Sequence, residues 1–301
     1  MQTFYSHGKL LLTAEYVVLD GAKALAVPTK FGQQLTVEPI KQPQIIWTSL
    51  DHNNAIWFED LFSLNEINNG YLSRNPISDR LIQILKAIKQ LNPEFLISNT
   101  GFKITTILEF PKNWGLGTSS TLINNLAQWA NVDPYQLLKL TFGGSGYDIA
   151  CAQNSNALIY QLENNLPTIN SLVFKPDFFE NLYFIHLNKK QNSRDGIAHY
   201  KANRHDLENS IEAINTITSK FIKTETIEDL KELIDHHETI ISTITNQTKV
   251  KDNLFSDFEG SIKSLGAWGG DFILVASKTN PTAYFKAKGF NTILKYKDMV
   301  L

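Results

Sequence analysis

Short apolar runs broken by turn residues open the chain. Lys9 to Leu12, Ala24 to Val27 and Gln33 to Val37 read as strands, with Asp20-Gly21 and Pro28 as the turn signals between them, so the chain starts as a β-meander. Gln44 to Trp47 and Ala55 to Phe58 form a second strand pair about a hairpin tip at His52-Asn53-Asn54. The period then changes. Leu81, Ile82, Leu85 and Ile88 recur at helical spacing, which predicts a helix from Ser78 to Gln90 stopped by Asn92-Pro93. Phe102 to Phe110 is a strand ended by Pro111, followed by a loop, a helix from Thr118 to about Asn131 and a short helix from Pro134 to Leu140.

Beyond a glycine-rich stretch at 143–146 another helix starts, and two strands follow at Ala157 to Leu162 and Leu182 to Leu187. Two helical segments come next, Ala202 to Lys220 and Thr226 to Thr245, the second opened by a capping pair of Thr226 and Asp229. The chain ends as helix (Leu254 to Leu265), glycine turn (Gly266 to Gly270), strand (Phe272 to Ser277), helix (Pro281 to Lys288) and strand (Thr292 to Lys297). Strands interleaved with helices make the class α+β, and 301 residues suit two lobes, 1–165 and 166–301.

Charge and composition narrow the function. The formal net charge of −2, from 28 basic and 30 acidic residues without long runs of either sign, gives no electrostatic case for nucleic acid or an anionic membrane. No stretch approaches the roughly 20 apolar residues that span a bilayer, and the start has no secretory pattern, so the sequence reads as soluble and cytoplasmic. A single cysteine, Cys151, can neither pair within the chain nor build a zinc site alone.

Four segments carry chemistry. Pro111 to Ser120 places Gly115 and Gly117 between a strand and a helix start, where side-chain-free backbone can approach a ligand and the helix N-terminus favours an anion. The hydroxyls of Thr118, Ser119 and Ser120 add donors to phosphate or a neutral oxygen for Mg²⁺. An ordinary turn with a Ser/Thr cap has the same outline, but three successive hydroxyls exceed what a cap needs. The glycine spacing fits neither a Walker A loop nor a dinucleotide fingerprint. In the second segment, Gly143 to Asp148, the carboxylate of Asp148 sits at a helix entry, as an N-cap or as an acceptor of a substrate proton. Lys9, with Glu15 and Tyr16 beyond it, is a strand-end lysine that would keep a nearby carboxylate ionised and neutralise a phosphoryl group. Lys263 to Phe272 holds three glycines where a simple helix end needs one. His236-His237-Glu238 reads as a solvated helix face rather than a metal site, since neighbours on a helix diverge.

In this order the four segments resemble the GHMP kinases, the superfamily of galactokinase, homoserine kinase, mevalonate kinase and phosphomevalonate kinase, over nearly the whole chain. Gly8-Lys9-Leu10 through Ala24 to Pro28 is similar to the opening motif of the mevalonate and phosphomevalonate branches, Pro111 to Ser120 to the phosphate loop with Thr118 in place of its first serine, and Gly266 to Asp271 to the third motif. The resemblance implies a two-lobed α+β fold, an N-terminal lobe of ribosomal-protein-S5-like type and a C-terminal ferredoxin-like lobe. It implies ATP and Mg²⁺ as cofactors, Asp148 as base and Lys9 as its electrostatic partner. Pro111, Gly115, Leu116, Gly117, Thr118, Ser119 and Ser120 would bind the nucleotide, with Ser119 near the metal. Glu15, Tyr16, Ser145, Gly146, Lys189, Ser193, Arg194, Gly269 and Gly270 would contact a small-molecule substrate, in a monomer or homodimer.

The expected reaction is phosphorylation of mevalonate or phosphomevalonate. A diphosphomevalonate decarboxylase-like enzyme and a non-catalytic nucleotide- or metabolite-binding relative are the alternatives. The sequence departs from the family in three places: Leu137, Leu138 and Lys139 stand where a metal-binding glutamate is expected, the segment between Ser119 and Asp148 is short, and Trp268 replaces a glycine of the third motif.

Overall fold

A strand of 17 residues, uninterrupted by its two prolines, Pro28 and Pro39, organises the first part of the chain. The computed structural model describes residues 1–69, 72–97, 100–205 and 207–301. In chain order its elements are β1 (Gln2–Leu11), β2 (Ala24–Ile40), β3 (Gln44–Leu50), β4 (Ile56–Ser63), α1 (Leu64–Asn69), α2 (Pro76–Leu91), β5 (Gly101–Leu108), α3 (Thr118–Ala130), α4 (Pro134–Thr141) and α5 (Tyr147–Gln153). There follow β6 (Ala157–Glu163), β7 (Leu166–Leu172), β8 (Leu182–His186), α6 (Ser193–Asn203), α7 (Leu207–Lys223), α8 (Ile227–Thr245), α9 (Val250–Leu254), β9 (Ser261–Ser264), β10 (Phe272–Ala276), α10 (Thr282–Ala287), β11 (Ile293–Lys295) and α11 (Tyr296–Met299). The class is α+β. Among the described residues no helix is long and apolar enough to cross a membrane.

The expected break at Pro28 is absent. β2 runs on through it, pairing with β6 over Ala24–Ala26, with β5 over Gln33–Ile40 and also with β1.

Contacts divide the chain into two compact units, neither of them continuous. The first holds Met1–Gly8, Phe31–Lys112 and Gly117–Gln153, and the second Lys9–Lys30, Asn113–Leu116 and Asn154–Leu301, where the sequence reads as contiguous halves meeting near 165.

In the first unit the pairing order is β4-β3-β5-β2, antiparallel except for the parallel pair β3–β5. The hairpin tip is where the sequence placed it: Asp51 Oδ1 accepts the N–H groups of Asn53 and Ala55, and Asn54 takes a left-handed φ of 61°. α2 starts at Asn75, whose side chain caps it, and buries Leu81, Ile82, Ile84, Leu85 and Ile88 against Trp47, Ile104, Ile123 and Leu126. Each fully buried side chain of this size contributes roughly 1.5–3 kcal/mol.

In the second unit the first residues of β2 pair with β6, which turns into β7 through Asn164-Asn165, both at positive φ as a two-residue hairpin prefers. A separate antiparallel sheet runs β11-β8-β10-β9. With α6–α8 after β8 and α10 after β10, this is the βαββαβ order of a ferredoxin-like unit. The predicted helix at 254–265 is instead the end of α9, a turn and strand β9. Leu254, Phe255, Phe258, Ile262 and Leu265 mimic helical spacing, but a side chain at Gly260 would strike the Phe258 ring and the Ala276 carbonyl oxygen at 2.4 and 2.6 Å. β7, rich in polar residues and containing Pro167, was not predicted. The single helix expected from 202 to 220 is two, α6 and α7, and position 206 within that expectation lies outside the described residues.

Candidate active site

The phosphate-loop segment enters α3 through Gly117, which occupies the N-cap position at φ 96°, a conformation that excludes most side chains. The three hydroxyls then differ. Ser120 is buried and donates to the Gly117 carbonyl oxygen at 2.9 Å, so it serves the helix end, whereas Ser119 is exposed and Thr118 half-buried. Asp148 is the second residue of α5, a helix that packs on α3 and follows three glycines at positive φ, Gly143, Gly144 and Gly146. Its Oδ1 accepts the N–H of Ile149 at 3.1 Å. Ser145 and Gly146 lie in the turn just before it. Tyr135 on α4 places in this part of the unit a buried hydroxyl without a hydrogen-bond partner among the described residues. Burial first, and then the charge of Asp148, hold that phenol well above its ordinary range.

A buried hydrogen-bond chain links the first turn of α3 to α5. Thr121 Oγ1 reaches Gln33 Oε1 (2.8 Å), Asn125 Nδ2 donates to the Gln33 carbonyl (2.9 Å), and Ser6 Oγ donates to Asn125 Oδ1 (2.7 Å). Asn124 Nδ2 donates to Ser6 Oγ (2.9 Å) and its Oδ1 accepts from Gln153 Nε2 (3.0 Å), at the end of α5. Sequence reasoning missed this set. Its one signal is Asn124-Asn125 inside an apolar helix pattern, two weak helix formers at core positions.

In the second unit Lys9 is half-buried and its Nζ donates to the Gly115 carbonyl oxygen at 2.9 Å, while its N–H donates to the Leu116 carbonyl at 3.0 Å. Gly115 (φ 68°) lies against Asp271: a Cβ there would stand 2.4 Å from the Asp271 Cγ. Segment 113–116 is also fixed by His186, whose Nδ1 accepts the Asn188 N–H (3.2 Å), leaving Nε2–H to donate to the Asn113 carbonyl (3.0 Å). Trp114 meets Phe272 edge-on at 5.4 Å. The third glycine segment runs beside 189–191, with the Asp271 N–H on the Lys189 carbonyl (2.7 Å) and no room for a side chain on Gly270. Lys189, Ser193 and Arg194 are exposed, the last two in the first turn of α6, which Asn192 caps.

Glu15 and Tyr16, expected at the substrate, are buried in the second unit. Both Glu15 carboxylate oxygens lie 2.6 Å from Lys263 Nζ, and both side chains are fully buried. Tyr16 Oη accepts the Trp268 N–H at 3.0 Å, and its ring stacks on Tyr200 at 5.5 Å. Trp268 is likewise buried. The solvated face expected at 236–238 is only His236. His237 and Glu238 point inward, where Ser264 Oγ donates to Glu238 Oε2 (3.0 Å) and His237 Nε2 accepts the Ala14 N–H (2.9 Å). His237 Nδ1 and Glu238 Oε1 stand 4.0 Å apart, neither with a hydrogen-bond partner among the described residues, and Lys263 Nζ lies 3.6 Å from Glu238 Oε1. Burial keeps His237 neutral well below its ordinary pKa, aided by the Lys263 charge. Burial also raises both carboxyls against the pull of Lys263, Glu238 to about 7.

Among the described residues no three His, Cys, Asp or Glu side chains group as a metal site. Of the predicted residues, the first unit therefore gathers Thr118, Ser119, Ser120, Ser145, Gly146 and Asp148, and Pro111 also belongs to it. The second gathers Lys9 with Gly115 and Leu116, and Lys189 with Gly269 and Gly270.

No family model and no curated protein matches the sequence. Solved structures do match. A mevalonate kinase of Methanococcus jannaschii is 17% identical with a TM-score of 0.70, over 97% of this chain and 96% of that one. The phosphomevalonate kinase of Streptococcus pneumoniae in complex with phosphomevalonate and AMPPNP is 16% identical with a TM-score of 0.69, over 100% and 98%. A galactokinase of Lactococcus lactis complexed with galactose is 13% identical with a TM-score of 0.68, over 97% and 92%. Matched along nearly the whole of each, the chain has the fold of the GHMP kinases.

Proposed function

We propose that the protein is an ATP-dependent kinase of the GHMP type acting on a small molecule, with mevalonate or phosphomevalonate as the acceptor. The observation that carries this reading is the packing of α5, which opens with Asp148, on α3, which opens at Gly117 with an exposed Ser119 in its first turn. A proton acceptor and a helix N-terminus suited to phosphate are thus held in one unit. The acceptor oxygen attacks the γ-phosphorus, the bond to the β-phosphate oxygen breaks, and ADP leaves; with a hydroxyl acceptor, its proton passes to Asp148. In the second unit Lys9, on the Gly115 carbonyl oxygen, is the cation assigned to serve the phosphate.

The residues present fit Mg²⁺. The Ser119 hydroxyl and the Asp148 carboxylate are hard oxygen donors, and a Mg²⁺ that arrives with nucleotide phosphates and water needs only one or two protein ligands, so a three-residue cluster is not required. Bound there, the ion would neutralise phosphate charge. Lys189, Ser193 and Arg194, exposed at the start of α6, suit an acceptor already bearing phosphate. A sugar acceptor is the second reading, favoured by the likeness to the galactokinase and to a D-glycero-D-manno-heptose 1-phosphate kinase (TM-score 0.66, 14% identity).

The test is ADP release with Mg-ATP against mevalonate, phosphomevalonate, diphosphomevalonate, homoserine and sugars. One strong substrate is expected, and Asp148→Ala should lower its kcat by about 10²–10⁴-fold while nucleotide binding survives. Silence across the panel would sink the kinase reading.

A further inference from the structure

Asp271 is a residue out of place by local criteria. It closes the glycine turn 266–271 with a φ of 53°, a left-handed conformation that glycine adopts freely and that Asp and Asn adopt more readily than other side chains. Gly266 and Gly269 in the same turn face open space, so the turn itself does not need a side chain. Yet the Asp271 side chain is inward and 8% exposed, a costly place for a carboxylate without a partner.

What it touches explains the placement. Its carboxylate lies flat on the backbone of Gly115, where any Cβ would fall 2.4 Å from its Cγ and Oδ2. The carbonyl oxygen of that same glycine accepts the Lys9 ammonium at 2.9 Å, so the two side chains converge on one residue of the loop. The hydrogen bond to Asp271 Oδ1 comes from the Gln191 N–H at 3.2 Å, and an asparagine would accept it equally well. The charge is therefore not explained by hydrogen bonding. Of the charges that counter its burial, that of Lys9 from β1 acts most strongly and that of Lys190 less.

We propose that Asp271 is a positioning residue whose negative charge holds the Lys9 ammonium against Gly115. This rests on the reading of Lys9 as the cation that serves phosphoryl transfer. A bare carboxylate beside a phosphate-binding loop would repel the ligand. Set on the same glycine as Lys9, it adds little net charge and draws the ammonium toward one resting place.

Two substitutions separate charge from shape. Asp271→Asn keeps the size, the tolerance for left-handed φ and the Gln191 bond; Asp271→Gly removes the side chain altogether. Both should leave the thermal midpoint unchanged or raised, and both should lower kcat about ten- to a hundredfold while KM for ATP moves less than about threefold. In a Lys9→Met background the effect of Asp271→Asn on kcat should vanish, because nothing remains to position. Wild-type kcat in Asp271→Asn, or an undiminished effect in the Lys9→Met background, overturns the proposal. A readout independent of turnover is NMR titration of ¹³C-methylated lysines, with the Lys9 signal assigned by Lys9→Arg. Asp271→Asn should lower the Lys9 midpoint by at least about half a unit. An unmoved midpoint refutes the pairing even if no acceptor is ever phosphorylated, while a shifted midpoint without turnover refutes only the kinase reading.

Discussion

Replacing Lys263 by methionine keeps most of the side-chain volume but removes the ammonium that both Glu15 oxygens contact at 2.6 Å. Lys263 and Glu15 are fully buried, so neither water nor salt can take over the pairing. Two outcomes compete. Glu15 can stay ionised and uncompensated, at a penalty of several kcal/mol, or it can bind a proton. From a carboxyl's ordinary value of 4.5, protonation at pH 7 costs about 1.36 kcal/mol for each of roughly 2.5 units, or about 3.4 kcal/mol. The cheaper route wins, so proton uptake caps the electrostatic loss near that figure. The lost contact to the Ser264 carbonyl oxygen at 3.1 Å belongs to the ammonium as well and leaves an acceptor unpaired, bringing the total to about 3–5 kcal/mol at pH 7. Because the cap falls by about 1.4 kcal/mol per pH unit, the deficit should shrink steadily toward pH 5. Urea denaturation at pH 5, 6 and 7 measures it, and Glu15→Gln in the same background should flatten the pH dependence. A deficit below about 1 kcal/mol, or one equal at pH 5 and pH 7, would refute the reasoning.

Glu238 keeps its proton in the fold up to about pH 7, whereas the unfolded chain releases it near 4.5. The folded state thus binds the extra proton between those values, and stability falls as pH rises through that window by up to about 1.4 kcal/mol per unit; Glu238→Gln should remove this slope in denaturant titrations. Gly115→Ala forces a side chain to φ 68° and into the Asp271 carboxylate, which should cost about 1–3 kcal/mol by calorimetry, partly recovered by adding Asp271→Gly. Asn124→Leu strands the Gln153 amide and deprives Ser6 of a donor, so a loss of about 1–3 kcal/mol is expected in urea midpoints despite the gain in apolarity.

Local pattern made much of this legible. The cap at Thr226, the hairpin tip near Asn54 and the start of α3 after Gly117 depend on residues within a few positions of one another, and the sequence displays them. So does the glycine approach to Asp148. The errors have another origin. Pro28 reads as a break although β2, held by three partner strands, runs on through it, and 254–265 reads as a helix because the spacing of its apolar residues fits one. Glu15 reads as a substrate contact and Glu238 as part of a solvated face because their partner, Lys263, lies outside any local window. No window of sequence shows that such a lysine will be buried between two carboxylates.

That remoteness has a consequence for how the chain acquires its structure. Glu15 and Lys263 are 248 positions apart, and Ala14 meets His237 across 223. During synthesis from the N-terminus, at roughly 5–20 residues per second, Glu15 emerges well before its counter-charge exists, and must remain hydrated until nearly the whole polypeptide is available. The second unit cannot close co-translationally, and a fragment spanning 166–301 would bury Lys263 with no Glu15 to receive it. Folding here is governed by closure of very long loops, which makes it slow and late, and places truncations near the middle of the chain among the most damaging changes it could suffer.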